Sequence, residues 1–301
     1  MMPNFKLANA PCSWGTIENT SGKRIPYSQM LDELSAAGFV GSELGELGFM
    51  PTEPEALRQA FAQRSLELVG AWVTVRLYDA AYHQRGVAQA LESARLVAAV
   101  GGTQATINLG DDHSSIAARH DNSGRIQAEH GLDEAGWQVY MRGVAAVSEA
   151  VRQETGLRLC FHPHAASYVE TVAEIEQFIA RSDPEQVSIV FDTGHYMLGG
   201  GDPVAGVRRY AERIGLVHLK DFNPAVLEQA KAQGWGYQQM IGAGVFSELG
   251  SGAVDFPGVL QALEDIGYQG WLVVEQDVLP GMGSPAQSAV RNREYLRSIG
   301  L

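Results

Sequence analysis

Several short apolar runs in this chain stop at residues that can hold a metal ion. Val187–Phe191 ends at Asp192, with His195 three positions on. Ile214–Leu219 carries His218 and is followed by Lys220 and Asp221. Trp271–Val274 ends at Glu275, with Asp277 just beyond. Leu157–Phe161 leads into His162-Pro163-His164, with Glu170 a few residues later, and Phe39–Leu44 has Glu43 near its end. Carboxylates and imidazoles without a thiolate suit a catalytic Mn, Co, Fe(II), Mg or Zn rather than a structural zinc. A divalent ion held by Asp192, His218 and Glu275 is therefore expected. Asp221 and Asp277 are expected to bond loop backbone instead, and His113, His120 and His130 to lie solvated in a loop. Trp14 and Trp72 could wall a sugar ring or fill the core.

Such residues converge only if the strands carrying them are parallel neighbours. Apolar runs give strands at Leu7–Trp14, Phe39–Leu44, Leu66–Val75, Thr103–Leu109, Leu157–Phe161, Val187–Phe191, Ile214–Leu219 and Trp271–Val274. Helical spacing fills the intervals, at Tyr27–Ala37, Glu53–Arg64, Gln84–Val100, Leu132–Thr155, Thr171–Arg181, from Asp202-Pro203, Asp255–Ile266 and Ser284–Ser298. Thr171 with Glu174 forms a capping box, and Asp202-Pro203 an N-cap followed by proline at the first helical position. This βα alternation predicts an α/β fold, a (β/α)8 TIM barrel spanning 1–301 as one domain, with its chemistry at the strand C-termini. The open doubly wound sheet is the runner-up. It needs a glycine-rich phosphate turn after the first strand, and SWGTIENTSG fits that motif poorly. Asp111–Gly131 and Asn223–Val254 read as long insertions over the strand-end face, where such loops are often functional.

The 301 residues are 45% hydrophobic and 19% charged, an ordinary globular composition. A net charge of −13 argues against binding double-stranded nucleic acid, which needs a cationic surface. No run approaches about 18 apolar residues, so no membrane span is expected, and MMPNFKLANAPCSWG lacks the apolar core of a signal peptide. The two cysteines, Cys12 and Cys160, form no C-x-x-C motif and read as buried thiols of a cytoplasmic protein. A homo-oligomer is compatible with all of this.

FDTGH, VHLKD and WLVVEQD, in this order at strand ends, resemble the xylose-isomerase-like TIM barrels, a superfamily of sugar isomerases, epimerases, dehydratases and apurinic-site endonucleases. Within it the chain looks most like the inosose dehydratases, through ANAPCSWG, AGFVGSELGELGFMP, FHPHAASYVET, KAQGWGYQQ and GYQGWLVVEQD. The resemblance implies a divalent metal, Mn or Co before Mg, Fe or Zn, on Asp192, His218 and Glu275. It also implies a fourth ligand from the fifth strand, for which Glu170 is preferred over His162 or His164. It further implies dehydration of a keto-inositol such as 2-keto-myo-inositol to a trihydroxycyclohexane dione, in myo-inositol catabolism. There His164 or Glu170 would be the base, His195 the acid and Lys220 a positive charge beside the enolate, with Trp14, Glu43 and Trp72 against the substrate. The same machinery serves a sugar isomerase or epimerase working through an enediolate on a ketose, which is the alternative. A metal-cluster nuclease is disfavoured by the acidic balance, and a non-catalytic sugar-binding barrel by the retained Asp192, His218 and Glu275.

Overall fold

Glycines, prolines and capping residues cut the apolar runs into short units. In the computed structural model, residues 5–15, 25–102, 104–279 and 281–301 are described. Thr103, expected at the start of the fourth strand, residues 1–4 of the N-terminal stretch, and residues 16–22 of the stretch tested as a phosphate turn lie outside them. The chain runs through β1 (Lys6–Asn9), α1 (Tyr27–Ala37), β2 (Gly41–Glu43), α2 (Pro54–Ala62), β3 (Glu67–Val75), α3 (His83–Val100) and β4 (Thr106–Asp111). A segment holding α4 (Ala117–Asn122) precedes α5 (Glu134–Thr155), β5 (Arg158–Phe161), α6 (Val172–Arg181), β6 (Val187–Asp192), α7 (Thr193–Leu198), α8 (Pro203–Arg209) and β7 (Ile214–Leu219). A second insertion contributes β8 (Asp221–Phe222), α9 (Pro224–Gln233), α10 (Tyr237–Gly242) and β9 (Phe246–Ser247). Then come α11 (Phe256–Asp265), β10 (Trp271–Val274) and α12 (Pro285–Ser298).

Among the described residues, β1 to β7 and β10 close a barrel in the order β1-β10-β7-β6-β5-β4-β3-β2. Closure comes from β1, which pairs in parallel with β10 along Lys6–Asn9 and with β2 at Ala8 and Asn9. The fold is thus the (β/α)8 barrel, not the open sheet. The first strand stops at Asn9, short of the expected Trp14. Pro11 has no N–H to give a ladder, and Pro11–Trp14 winds instead into a 3-10 turn. Helix ends follow their sequence signals: the Thr171–Glu174 capping box starts α6, and Gly38, at φ 93°, ends α1 in the left-handed region open to glycine.

Side chains alternate along each strand, so residues two apart share a face. Cys160, Val190, Leu216 and Val273 belong to one buried cluster inside the barrel. Two positions further on stand His162, Asp192, His218 and Glu275, which lie on the same inward face one layer nearer the strand C-termini. Leu7, Val217, Leu272 and Val274 face the other way, into the larger core beneath the helices.

Both insertions follow strands, on the C-terminal face, and neither is plain loop. The first contains α4 and two 3-10 turns, at His113–Ser115 and Ala128–His130. The second contains α9, α10 and the antiparallel β8–β9 ribbon. Asp221 fixes that ribbon as expected of a backbone-binding acid, accepting from the N–H groups of Phe222, Gly250, Gly252 and Val254. The insertions are fastened together: Arg125 Nη1 donates to the Trp235 carbonyl at 2.6 Å, and Tyr237 packs edge-on against His113 and His120. Among the described residues no helix is long and apolar enough to cross a membrane.

Candidate active site

His162, Asp192, His218 and Glu275 come from the ends of four different strands. They offer ligand atoms that all lie within 4.8 Å of one another. His162 Nε2 is 3.6 Å from Asp192 Oδ2, and His218 Nδ1 is 3.8 Å from that oxygen and 3.3 Å from Glu275 Oε1. Both ring nitrogens of His162, Nδ1 of His218 and Oδ2 of Asp192 are buried without a hydrogen-bond partner. Orphaned buried polar atoms are rare, and a shared bound ion explains three of them together, one nitrogen of His162, Nδ1 of His218 and Oδ2 of Asp192. Two imidazole nitrogens and two carboxylate oxygens fit a divalent transition ion. Asp192 divides its work, since Oδ1 accepts the N–H of His195 at 2.9 Å and caps α7 while Oδ2 faces the cluster. Burial works against charge here, but the Glu275 and Glu43 carboxylates outweigh it and hold His218 well above its ordinary range. For Glu275 burial is likewise overcome, by His218 and Lys220, and its carboxyl is held well below the usual range.

The adjoining wall is built on Lys220. Its ammonium lies 3.1 Å from Glu275 Oε2, 3.2 Å from both oxygens of Asp277 and 3.2 Å from His195 Nε2. Burial disfavours that charge, yet Asp277, Glu275 and Asp192 raise the lysine above its ordinary value and keep it a cation. The His195 ring packs 3.9 Å from that of His164, centroid to centroid, and the His164 ring 4.6 Å from that of His113. Burial, then neighbouring cationic groups, push His164 and His195 well below the usual imidazole range, so both are neutral near pH 7. His164 Nδ1 lies 2.7 Å from the Ala165 carbonyl, which can only accept. That nitrogen therefore carries the ring proton and Nε2 keeps its lone pair.

A cavity opens beside the cluster, with His162 and Glu275 on its lining. Glu43, Trp72, His164, Lys220, Asp277 and Tyr237 are among its walls. Trp72 fits because residue 110 is glycine; a Cβ there would run into the indole.

Three expected site residues, Glu170, Trp14 and His195, do not line this cavity. The Glu170 carboxylate accepts from Ser123 Oγ at 2.8 Å, Gly124 N at 2.7 Å and Ala166 N at 2.5 Å. Its lone pairs are committed, and it is neither in the ligand cluster nor on the cavity wall. It lies apart from the ligand cluster, in which the fifth-strand position is that of His162. Trp14 is swung by the turn after Pro11 into the core, where Nε1 donates to Glu33 Oε2 at 2.7 Å; it does not line the cavity. His195 stands behind the wall, touching Lys220 rather than the cavity. Conversely, Asp277 and His113 were expected on backbone and in solvent, yet both line the cavity. His113 is pushed by burial to a pKa of about 4. The inward period of β5 could have found His162; nothing local in the sequence announces His113.

Residues 31–299 match the model of the xylose isomerase-like TIM barrel family. The chain is 30% identical to an inosose dehydratase of Klebsiella pneumoniae over 98% of its own length and 97% of that protein. It is 28% identical to one of Lacticaseibacillus casei over 97% and 96%. Among solved structures, a probable 3-DHS dehydratase from Bacillus anthracis superposes with a TM-score of 0.70 at 14% identity, over 97% of this chain and 98% of that one. A 3-keto-D-glucoside 4-epimerase from E. coli superposes at 0.68 with 16% identity, over 98% and 100%. At such identities the structural likeness speaks to fold alone.

Proposed function

The chain belongs to the xylose isomerase-like TIM barrel family, and we propose that it is a divalent-metal-dependent dehydratase acting on a keto-inositol such as 2-keto-myo-inositol. One observation carries the chemistry: orphaned ligand atoms stand next to a buried ammonium and a neutral imidazole on the wall of one cavity. The choice of dehydration over other fates is supported by the inosose dehydratases similar over nearly the whole chain.

The reaction must remove a proton from carbon next to a ketone and expel a hydroxyl from the carbon beyond. A divalent ion on His162, Asp192, His218 and Glu275 would supply Lewis-acid polarisation of the ketone and lower the cost of enolate charge. His164, with a free Nε2 lone pair, is the base that takes the α proton. Lys220 supplies positive charge beside the enolate and gives a proton to the departing hydroxyl, so the C–O bond breaks as water leaves. The proton gained by His164 and the one lost by Lys220 are balanced through solvent. Asp277 and Glu275 hold the ammonium in position, and His195, whose Nδ1 accepts the Ala165 N–H, packs behind it in place of the expected acid role. Tyr237 and Trp72 enclose the ring, and the paired insertions exclude water.

The test is 2-keto-myo-inositol with Mn or Co, followed by dione absorbance and by a product mass lower by one water, beside neutral ketoses in deuterated water. Isomers formed without loss of water would move the protein to the sugar isomerase or epimerase reading.

A further inference from the structure

Beneath the ligand cluster, four inward side chains from three strands and the barrel's polar interior form one chain of hydrogen bonds. Thr106 Oγ1 donates to Asn108 Oδ1 at 2.8 Å, and Asn108 Nδ2 donates to Glu43 Oε1 at 2.8 Å. His218 Nε2 lies 3.0 Å from that same carboxylate oxygen. All four residues are buried. The proton positions are assigned from the acceptors. A carboxylate oxygen only accepts, so Asn108 must turn its NH2 and His218 its Nε2–H toward Glu43. The amide oxygen of Asn108 then faces Thr106, whose hydroxyl pins it. With Nε2–H committed, Nδ1 is the nitrogen left to face Asp192 Oδ2 and Glu275 Oε1, and the one that gives up its proton when an ion binds.

We infer that Thr106, Asn108 and Glu43 are positioning residues that fix the ring orientation and Nε2–H tautomer of His218, and so preorganise its Nδ1 as a ligand. Glu43 thus does more than the substrate contact expected of it, and the sequence held no cue to Asn108 or Thr106. Carboxylates that orient ligating histidines in this way typically change metal affinity by about 10–100-fold. The inference rests on the metal-site reading above.

The experiment measures Zn2+ affinity of the full chain by competition with a chromophoric chelator. The His218 tautomer is read from 15N–1H spectra of Zn2+-loaded, 15N-histidine-labelled protein. Glu43→Ala is expected to weaken binding about 10–100-fold and to erase the hydrogen-bonded Nε2–H signal. Glu43→Gln, whose amide oxygen still accepts from His218, restores the signal and most of the affinity. Asn108→Leu and Thr106→Val give smaller losses in the same direction. Parent-like affinity and tautomer in Glu43→Ala, alongside loss of Zn2+ from Asp192→Ala, overturn the relay and leave the metal site standing. Unchanged affinity in both overturns the site and the relay with it. Should Glu43→Ala fail to fold, Thr106→Val carries the test: it keeps the side-chain volume and touches no ligand, and a parent-like affinity and tautomer there overturn the relay equally.

Discussion

At the scale of single residues, the assignment divides the carboxylates sharply. Asp192→Ala and Glu275→Ala are expected to lose bound metal, read by elemental analysis of metal-replete protein, while Glu170→Gln keeps it. Metal loss in the last variant would return Glu170 to the ligand set. His164→Gln should lower kcat by about 10²–10⁴-fold with metal content unchanged, the ordinary reach of a general base. Asp111 gives a separate reading. Burial pushes its carboxyl up to about 7, against partial relief from the N–H groups of Tyr168 and Leu77. A raised folded pKa means a stabilising contribution fully present below the unfolded value of 3.8 and lost as pH rises through about 7. On going from pH 5 to pH 8 the Tm of Asp111→Asn should therefore gain on the parent, by a contribution on the order of a few kcal/mol at most. A pH-independent difference would remove the effect. The sequence made Asp192, His218 and Glu275 legible because each sits in or directly against an apolar strand. Glu170 falls outside the cluster because it stands well past the end of β5, and the loop between has already turned back: the His164 N–H bonds the Val169 carbonyl. No local pattern encodes that reversal.

At the scale of elements, the strand-four insertion owes its form to two buried acids beyond β5, Glu170 in the loop and Glu174 in the first turn of α6. Arg119 of α4 is fully buried, donates to both oxygens of Glu174 at 2.7 and 2.8 Å and to the Ser167 carbonyl at 2.6 Å. Glu170 holds Ser123 and Gly124 at the other end of α4, and with Ala166 N it supports a left-handed residue, at φ 65°, in the loop that carries His164. Such a conformation costs a non-glycine residue about 1–2 kcal/mol. Arg119→Met leaves Glu174 buried without its cation, a loss of about 3–5 kcal/mol. Faster hydrogen exchange across Asp111–Gly131 is then expected, with KM raised. Exchange confined to the helix ends would argue that α4 is held otherwise. The first insertion reads as a loop because a six-residue helix such as α4 is too short to form on its own propensity. It exists here through contacts with distant residues, which no window of sequence displays. The barrel strands and long helices were legible for the opposite reason: their periodicity and caps are local.

At the scale of the whole molecule, charge narrows the substrate. Net charge is −13, and among the described residues lining the cavity Lys220 is the single lysine or arginine, already committed to Glu275 and Asp277. Glu43 and Glu46 face the same space. Phosphorylated ketoses should thus inhibit more weakly than their neutral counterparts, with the gap closing as salt is added. Tight, salt-insensitive inhibition by a sugar phosphate would contradict a site built for uncharged polyols. The barrel itself was legible from βα alternation, but its closure was a choice between two topologies until β1 was seen beside β10. The bond from Arg125 to the backbone at Trp235 has a kinetic consequence. Two covers fastened to each other give the molecule one door instead of two. Covers that open as one are expected to make product compete with substrate for the free enzyme, which product-inhibition kinetics would read. Thickening the solvent should then slow turnover in proportion to how far the opening of that door limits the cycle.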